Sequence, residues 1–203
     1  MCTTIGSIAQ TAHTGKKQLH ALQSTNVTPD FIIADVRLSI EQVGQQIDTL
    51  RGKALELVQN DDKMKQVLEL LISVKGIAET SAIQLMDELL VLPSDMTARQ
   101  WVAMAGLDPR QHQSGTSINK KARISKVGNR YLRMALYMPA LSASHHDCHV
   151  HGYYLHLIEE RGLKKIQAVC AVMRKLLHAI HGMLKSRTPF DNTRFYDMSK
   201  QTA

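Results

Sequence analysis

Val36, Ile40, Val43, Ile47, Leu50, Ala54 and Leu57 follow one another at alternating intervals of four and three, an apolar a/d seam held over three heptads. A strand, with its period of two, cannot keep such a seam on one face, whereas a helix can. The stretch is therefore a helical arm with one apolar side. Gly44 and Gly52 fall off the seam, and each costs a helix up to about 1 kcal/mol relative to alanine, so the arm should depend on a partner more than on propensity. A coiled coil or helical hairpin meets that need, as does one amphipathic helix packed on its own domain. Oligomeric state distinguishes them.

The rest of the chain is organised around this arm, at residues 31–60. Residues 1–30 are rich in Thr, Ser and Gln without a sustained period, and read as a flexible lead-in ending at Pro29. Residues 61–191 form a helical domain, and 192–203 a loosely packed tail. Within the domain, Asn60-Asp61-Asp62 opens a helix over 63–73. LLISVKGIAETSAIQLMDELL then gives two apolar helices about a Lys75-Gly76-Ile77-Ala78 turn, a helix-hairpin-helix-like element. Thr97-Ala98-Arg99-Gln100 is a capping box that carries the single Trp101 into the core. Gly106 and Pro109 stop that helix, and 111–126, lacking an apolar stripe, is a loop or short hairpin. Asn129 caps a helix containing Leu132, Leu136 and Tyr137. A final helix over 162–186 buries Leu163, Ile166, Val169, Val172, Leu176 and Ile180, with Lys164, Lys165, Arg174, Lys175 and Lys185 on its remaining surface. The expected fold is all-α.

Three widely spaced cysteines, Cys2, Cys148 and Cys170, argue for reduced thiols rather than a disulfide framework. No apolar run approaches the ~18 residues of a membrane span, and no secretory signal pattern opens the chain, so a cytoplasmic protein with no membrane partner is expected. With aromatics at 4%, a base-stacking platform is not the main binding device, and contact with backbone phosphates is the more economical reading.

Charge locates that contact. The chain carries 25 Lys and Arg against 18 Asp and Glu, a net of +7. Residues 109–146 contain no acid, and their seven bases, Arg110, Lys120, Lys121, Arg123, Lys126, Arg130 and Arg133, equal the whole excess. Segregation of this kind marks a polyanion site rather than a solvated face. Arg130 and Arg133 near a helix start oppose the helix dipole, which a bound anion sharing the helix amides and Asn129 would explain. Lys75 and Gly76 offer a second phosphate contact through turn amides, although Ala78 and Glu79 weaken that pattern. His145, His146, Asp147, Cys148, His149 and His151 are zinc-ligand types, yet their contiguity suits a polar inter-helix turn better, and no metal site is assigned.

LLISVKGIAETSA, WVAMAGLDPRQHQSG, ISKVGNRYLRMALYMPA and AVMRKLLHAIHGMLKSRTPFD occur in this order. Together they resemble the C-terminal domain of insertion-sequence family 110 transposases and their 116 and 902 relatives, over about residues 36–191. The resemblance implies a DNA recombinase with DNA as partner and, in characterised members, a noncoding guide RNA. It implies that Ser114 attacks a DNA phosphodiester to form a phosphoserine link. It also implies an RuvC-like domain with metal-binding acidic residues ahead of the arm, so Mg²⁺ is expected only with that domain and no cofactor here. The chain is then expected to be a truncated transposase that binds nucleic acid, is inactive alone, and pairs through residues 36–57 with a copy of itself or a full-length relative. The alternative is a non-enzymatic helical DNA- or RNA-binding module; a third reading is a structural dimer arm with an incidental basic patch.

Overall fold

A computed structural model of the chain describes residues 2–25, 28–114 and 118–198, with backbone alone over 2–7, 9–10, 111–114 and 118–122. The described residues form eight α-helices, one two-stranded ribbon and a terminal 3-10 turn, an all-α class. Two compact units divide the chain, residues 1–62 and 63–203.

The first unit is a helical hairpin of α1 (Cys2–Gln23) and α2 (Asp30–Gln59). The lead-in expected to be irregular is thus helical. Ile8, Ala12, Gly15, Leu19 and Leu22, at intervals of four and three, are all at least partly buried. Their small or isolated apolar side chains conceal a seam that matches the one on α2. At Gly15 the helices come so close that a β-carbon would lie 3.1 Å from Cγ1 of Ile40. The partner that α2 requires is therefore supplied by its own chain. After Ala54 the seam shifts: Val58 is buried, while Leu57 is 56% exposed. A straight helix drifts about 20° per heptad against a 3.5-residue repeat, so a strict heptad pattern leaves the buried face at its far end.

The second unit is built around α6 (Arg130–His146), which packs on α4 (Glu79–Leu90), α7 (Cys148–Glu159) and α8 (Lys165–Ser186). Leu132, Leu136, Leu176 and Ile180 are fully buried, and burial of side chains of this size contributes about 1.5–3 kcal/mol each. α3 (Asp62–Ile72) leads into the turn before α4. There Gly76 has φ +105°, and a β-carbon would lie 2.8 Å from the Pro139 carbonyl oxygen and 2.9 Å from the Ala143 nitrogen. The turn lies directly on the α6 backbone, and only glycine fits. α5 (Ala98–Met104) starts at the Thr97–Gln100 capping box, packs on α8, and buries Trp101 edge-on to His181.

The tail also differs from expectation. Phe195 is buried, and Phe190, Phe195, Tyr153 and Tyr196 form a ring cluster. Lys175, read as surface, places Nζ 4.2 Å from the Tyr153 ring centre and 5.0 Å from that of Phe195. A cation held over ring faces keeps much of its electrostatic stabilisation while its stem packs. Burial nevertheless pulls the Lys175 pKa below the usual lysine range.

Candidate nucleic-acid interface

Two sequence blocks, WVAMAGLDP and ISKVGNR, interlock where α5 ends and α6 begins. Ser125 donates through its hydroxyl to Oδ1 of Asp108 at 2.6 Å and through its backbone N–H to the Asp108 carbonyl at 2.9 Å. Lys126 donates its N–H to the Gly106 carbonyl, and Asn129 donates its own to that of Met104. Gly128, at φ +117°, lies so close that a β-carbon would be 2.2 Å from the Met104 carbonyl oxygen. Each such bond is worth about 1 kcal/mol net, and together they fix two loop ends that share no helix ladder.

Asn129 is the centre of this knot. Its Oδ1 accepts from the N–H groups of Tyr131 and Leu132, capping α6, while Nδ2 donates to Oε2 of the buried Glu88 on α4. One residue, through its side chain and its backbone N–H, thereby ties α4, α5 and α6. Arg133 donates to the Ala105 carbonyl at 2.8 Å and stands half-buried over Gly106. Both residues were expected to meet nucleic acid; in the structure both side chains bond within the frame. Glu88 was not legible as a site residue, because it lies in a helix read only for its apolar face.

From this knot projects an antiparallel ribbon, β1 (Pro109–Ser114) and β2 (Ile118–Ile124). Arg110 is directly opposite Arg123, His112 opposite Lys120, and Ser114 opposite Ile118 at the far end. A bulge sets Lys121 and Ala122 against the single Gln111. Gly115, after the candidate nucleophile, lies outside the described residues, as do the side chains of Ser114, Lys120 and Lys121. Arg110, Arg123, Lys126 and Arg130 are exposed around the ribbon base and the start of α6. Lys75 is exposed on the α3–α4 turn, where Gly76 turns its α-carbon toward α6.

Mg²⁺ takes oxygen ligands, carboxylates foremost among side chains. Residues 109–146 have none, Asp108 is bonded to Ser125 and Glu88 to Asn129. Among the described residues no group of three His, Cys, Asp or Glu side chains could hold a metal. This surface does not fit Mg²⁺. The histidine-rich turn has structural employment: Asp147 caps α7 and accepts from Asn192, His149 bonds the Tyr196 carbonyl, and His151 that of Ser144.

Residues 68–155 match the model of the transposase IS116/IS110/IS902 family. Over this segment the chain is similar to that transposase family. The matched segment runs from α3 into α7 and includes the knot, the ribbon and α6. The pilin gene-inverting protein of Moraxella bovis is 30% identical over 153 residues, 75% of this chain and 48% of that protein. Its counterpart in Moraxella lacunata is 31% identical over 157 residues, with the same two shares. The chain spans about half the length of these curated relatives. No helix among the described residues is long and apolar enough to cross a membrane.

Proposed function

We propose that this chain binds DNA through the β1–β2 ribbon and presents Ser114 for strand cleavage and transfer during transposition. The observation that carries the reading is the direct opposition of Arg110 and Arg123 in a ribbon without a carboxylate. Like charges across a strand pair are destabilising, and an isolated two-stranded hairpin is marginal in water. A phosphate backbone lying along the ribbon removes that repulsion.

Ser114 ends the first strand at the ribbon tip, next to the Gly115 step. In the cleavage step its hydroxyl oxygen forms a bond to phosphorus while the bond to one sugar oxygen breaks. The serine proton passes to a base, and the departing oxygen takes up a proton in turn. The phosphoserine link retains the phosphodiester's capacity for rejoining. Arg110, Arg123 and the lysines supply fixed positive charge for the transferring group. Metal chemistry and a guide RNA belong to the same reading, with Mg²⁺ assigned to the RuvC-like domain and not to this surface.

The test incubates the purified chain with a synthetic element terminus, Mg²⁺ and the cognate RNA, with and without a full-length relative. The expected result is a covalent DNA adduct of this chain only in the mixture with the full-length relative, lost in Ser114→Ala while DNA binding persists. If about five basic residues meet phosphates, the log–log salt slope of binding is about −4.5. The second reading is a helical binding module without cleavage of its own. Salt-dependent binding with no adduct in any mixture would select it.

A further inference from the structure

A second acid-free segment lies outside the family match. Residues 161–190 hold seven Lys and Arg and no Asp or Glu, and most of them form α8. On this helix Arg174, His178, His181 and Lys185 follow at intervals of four, three and four, which places them along one side. Arg174 and Lys185 are exposed, as is Arg99 in the first turn of α5, the helix packed on α8. Among the described residues, no carboxylate lies within ion-pair distance of these three cations.

The charges that act on His178 are positive. Burial first, then Arg174, His181 and Arg99, hold the His178 pKa below its ordinary value. One turn before Arg174, burial raises the Cys170 thiol while Lys126, from the ribbon base, opposes the rise. Lys126 at the ribbon base thus lies near the first half of α8. From Arg174 to Lys185 the helix runs about 16 Å at 1.5 Å per residue, the rise of about five base pairs.

We infer that Arg99, Arg174 and Lys185, continuing from Lys126, form a second tract for a nucleic-acid phosphate backbone along the α5–α8 face. It rests on the reading of this domain as a nucleic-acid binder. Its chemistry is that of a positioning contact, which fixes where the strand lies without reading bases. Exposed arginine and lysine suit phosphate oxygens through charge-assisted hydrogen bonds.

The test compares three triple variants of the whole chain by fluorescence anisotropy, using labelled DNA and RNA duplexes of about 20 base pairs across a salt series. Arg99→Gln/Arg174→Gln/Lys185→Gln removes the tract, Lys120→Gln/Lys121→Gln/Arg123→Gln the ribbon charges, and Lys164→Gln/Lys165→Gln/Arg187→Gln an equal charge elsewhere. The tract variant is expected to flatten the salt slope by about 2.7 and weaken binding at least about tenfold, with the third variant markedly milder. The duplex with the larger change identifies the polymer. A tract variant that binds like the parent, or no better or worse than the third, overturns the inference. If the ribbon variant alone weakens binding, only the tract fails; if the tract variant alone does, the tract stands and the ribbon reading fails. A parent chain that binds neither duplex overturns both.

Discussion

Asn129 illustrates how a residue chosen for one chemistry serves another. Its place before a helix, flanked by cations, suits an anion site, and a cap is legible from sequence alone. The Glu88 carboxylate under its amide, 41 positions away, is not. Removing the amide costs the α6 cap, about 1 kcal/mol, and strands a buried carboxylate, which adds about 1–3 kcal/mol. Asn129→Ala should therefore lower unfolding stability in urea by about 2–4 kcal/mol, while Glu88→Gln, which keeps a hydrogen-bonding partner, should lose less. Equal losses in the two variants would refute the clamp. Gly76 teaches the same lesson: a turn glycine read as a phosphate contact meets the α6 backbone on its α-carbon side.

Among the elements, the ribbon is where stability and binding are expected to diverge. Arg110→Glu replaces a like-charge pair opposite Arg123 by an attractive one, which should stabilise the ribbon by about 0.2–1 kcal/mol. The same change removes two units of positive charge from the proposed DNA contact. Hydrogen exchange of ribbon amides should slow while affinity for duplex DNA falls at least about tenfold at low salt. Affinity that rises with stability would mean that the ribbon supports the fold and does not meet the phosphate. Sequence allowed a loop or a hairpin for 111–126; it could not choose, because the strands carry no alternating apolar face. Their pairing is set at the base, where Asp108 and Ser125 are joined.

For the whole molecule, two units with different sequence character carry different tasks. Residues 1–62 are a hairpin whose seam is filled in cis, and residues 63–203 contain both acid-free basic segments. Because α1 supplies the partner for α2, Ile40→Asp should reduce helicity by circular dichroism and leave the native mass by light scattering unchanged. A drop to half the parent mass would show that the seam joins two chains. The α2 helix, its seam up to Ala54, the Thr97 capping box, the Asn129 cap and the clustering of charge were determined by sequence itself, since each depends on near neighbours at fixed spacing. Whether Lys175 met solvent or rings, that Arg133 bonds the Ala105 carbonyl, and where α1 found its partner were decided only by tertiary structure. In each case the deciding group comes from a distant part of the chain, and local spacing carries no information about which surface it will meet.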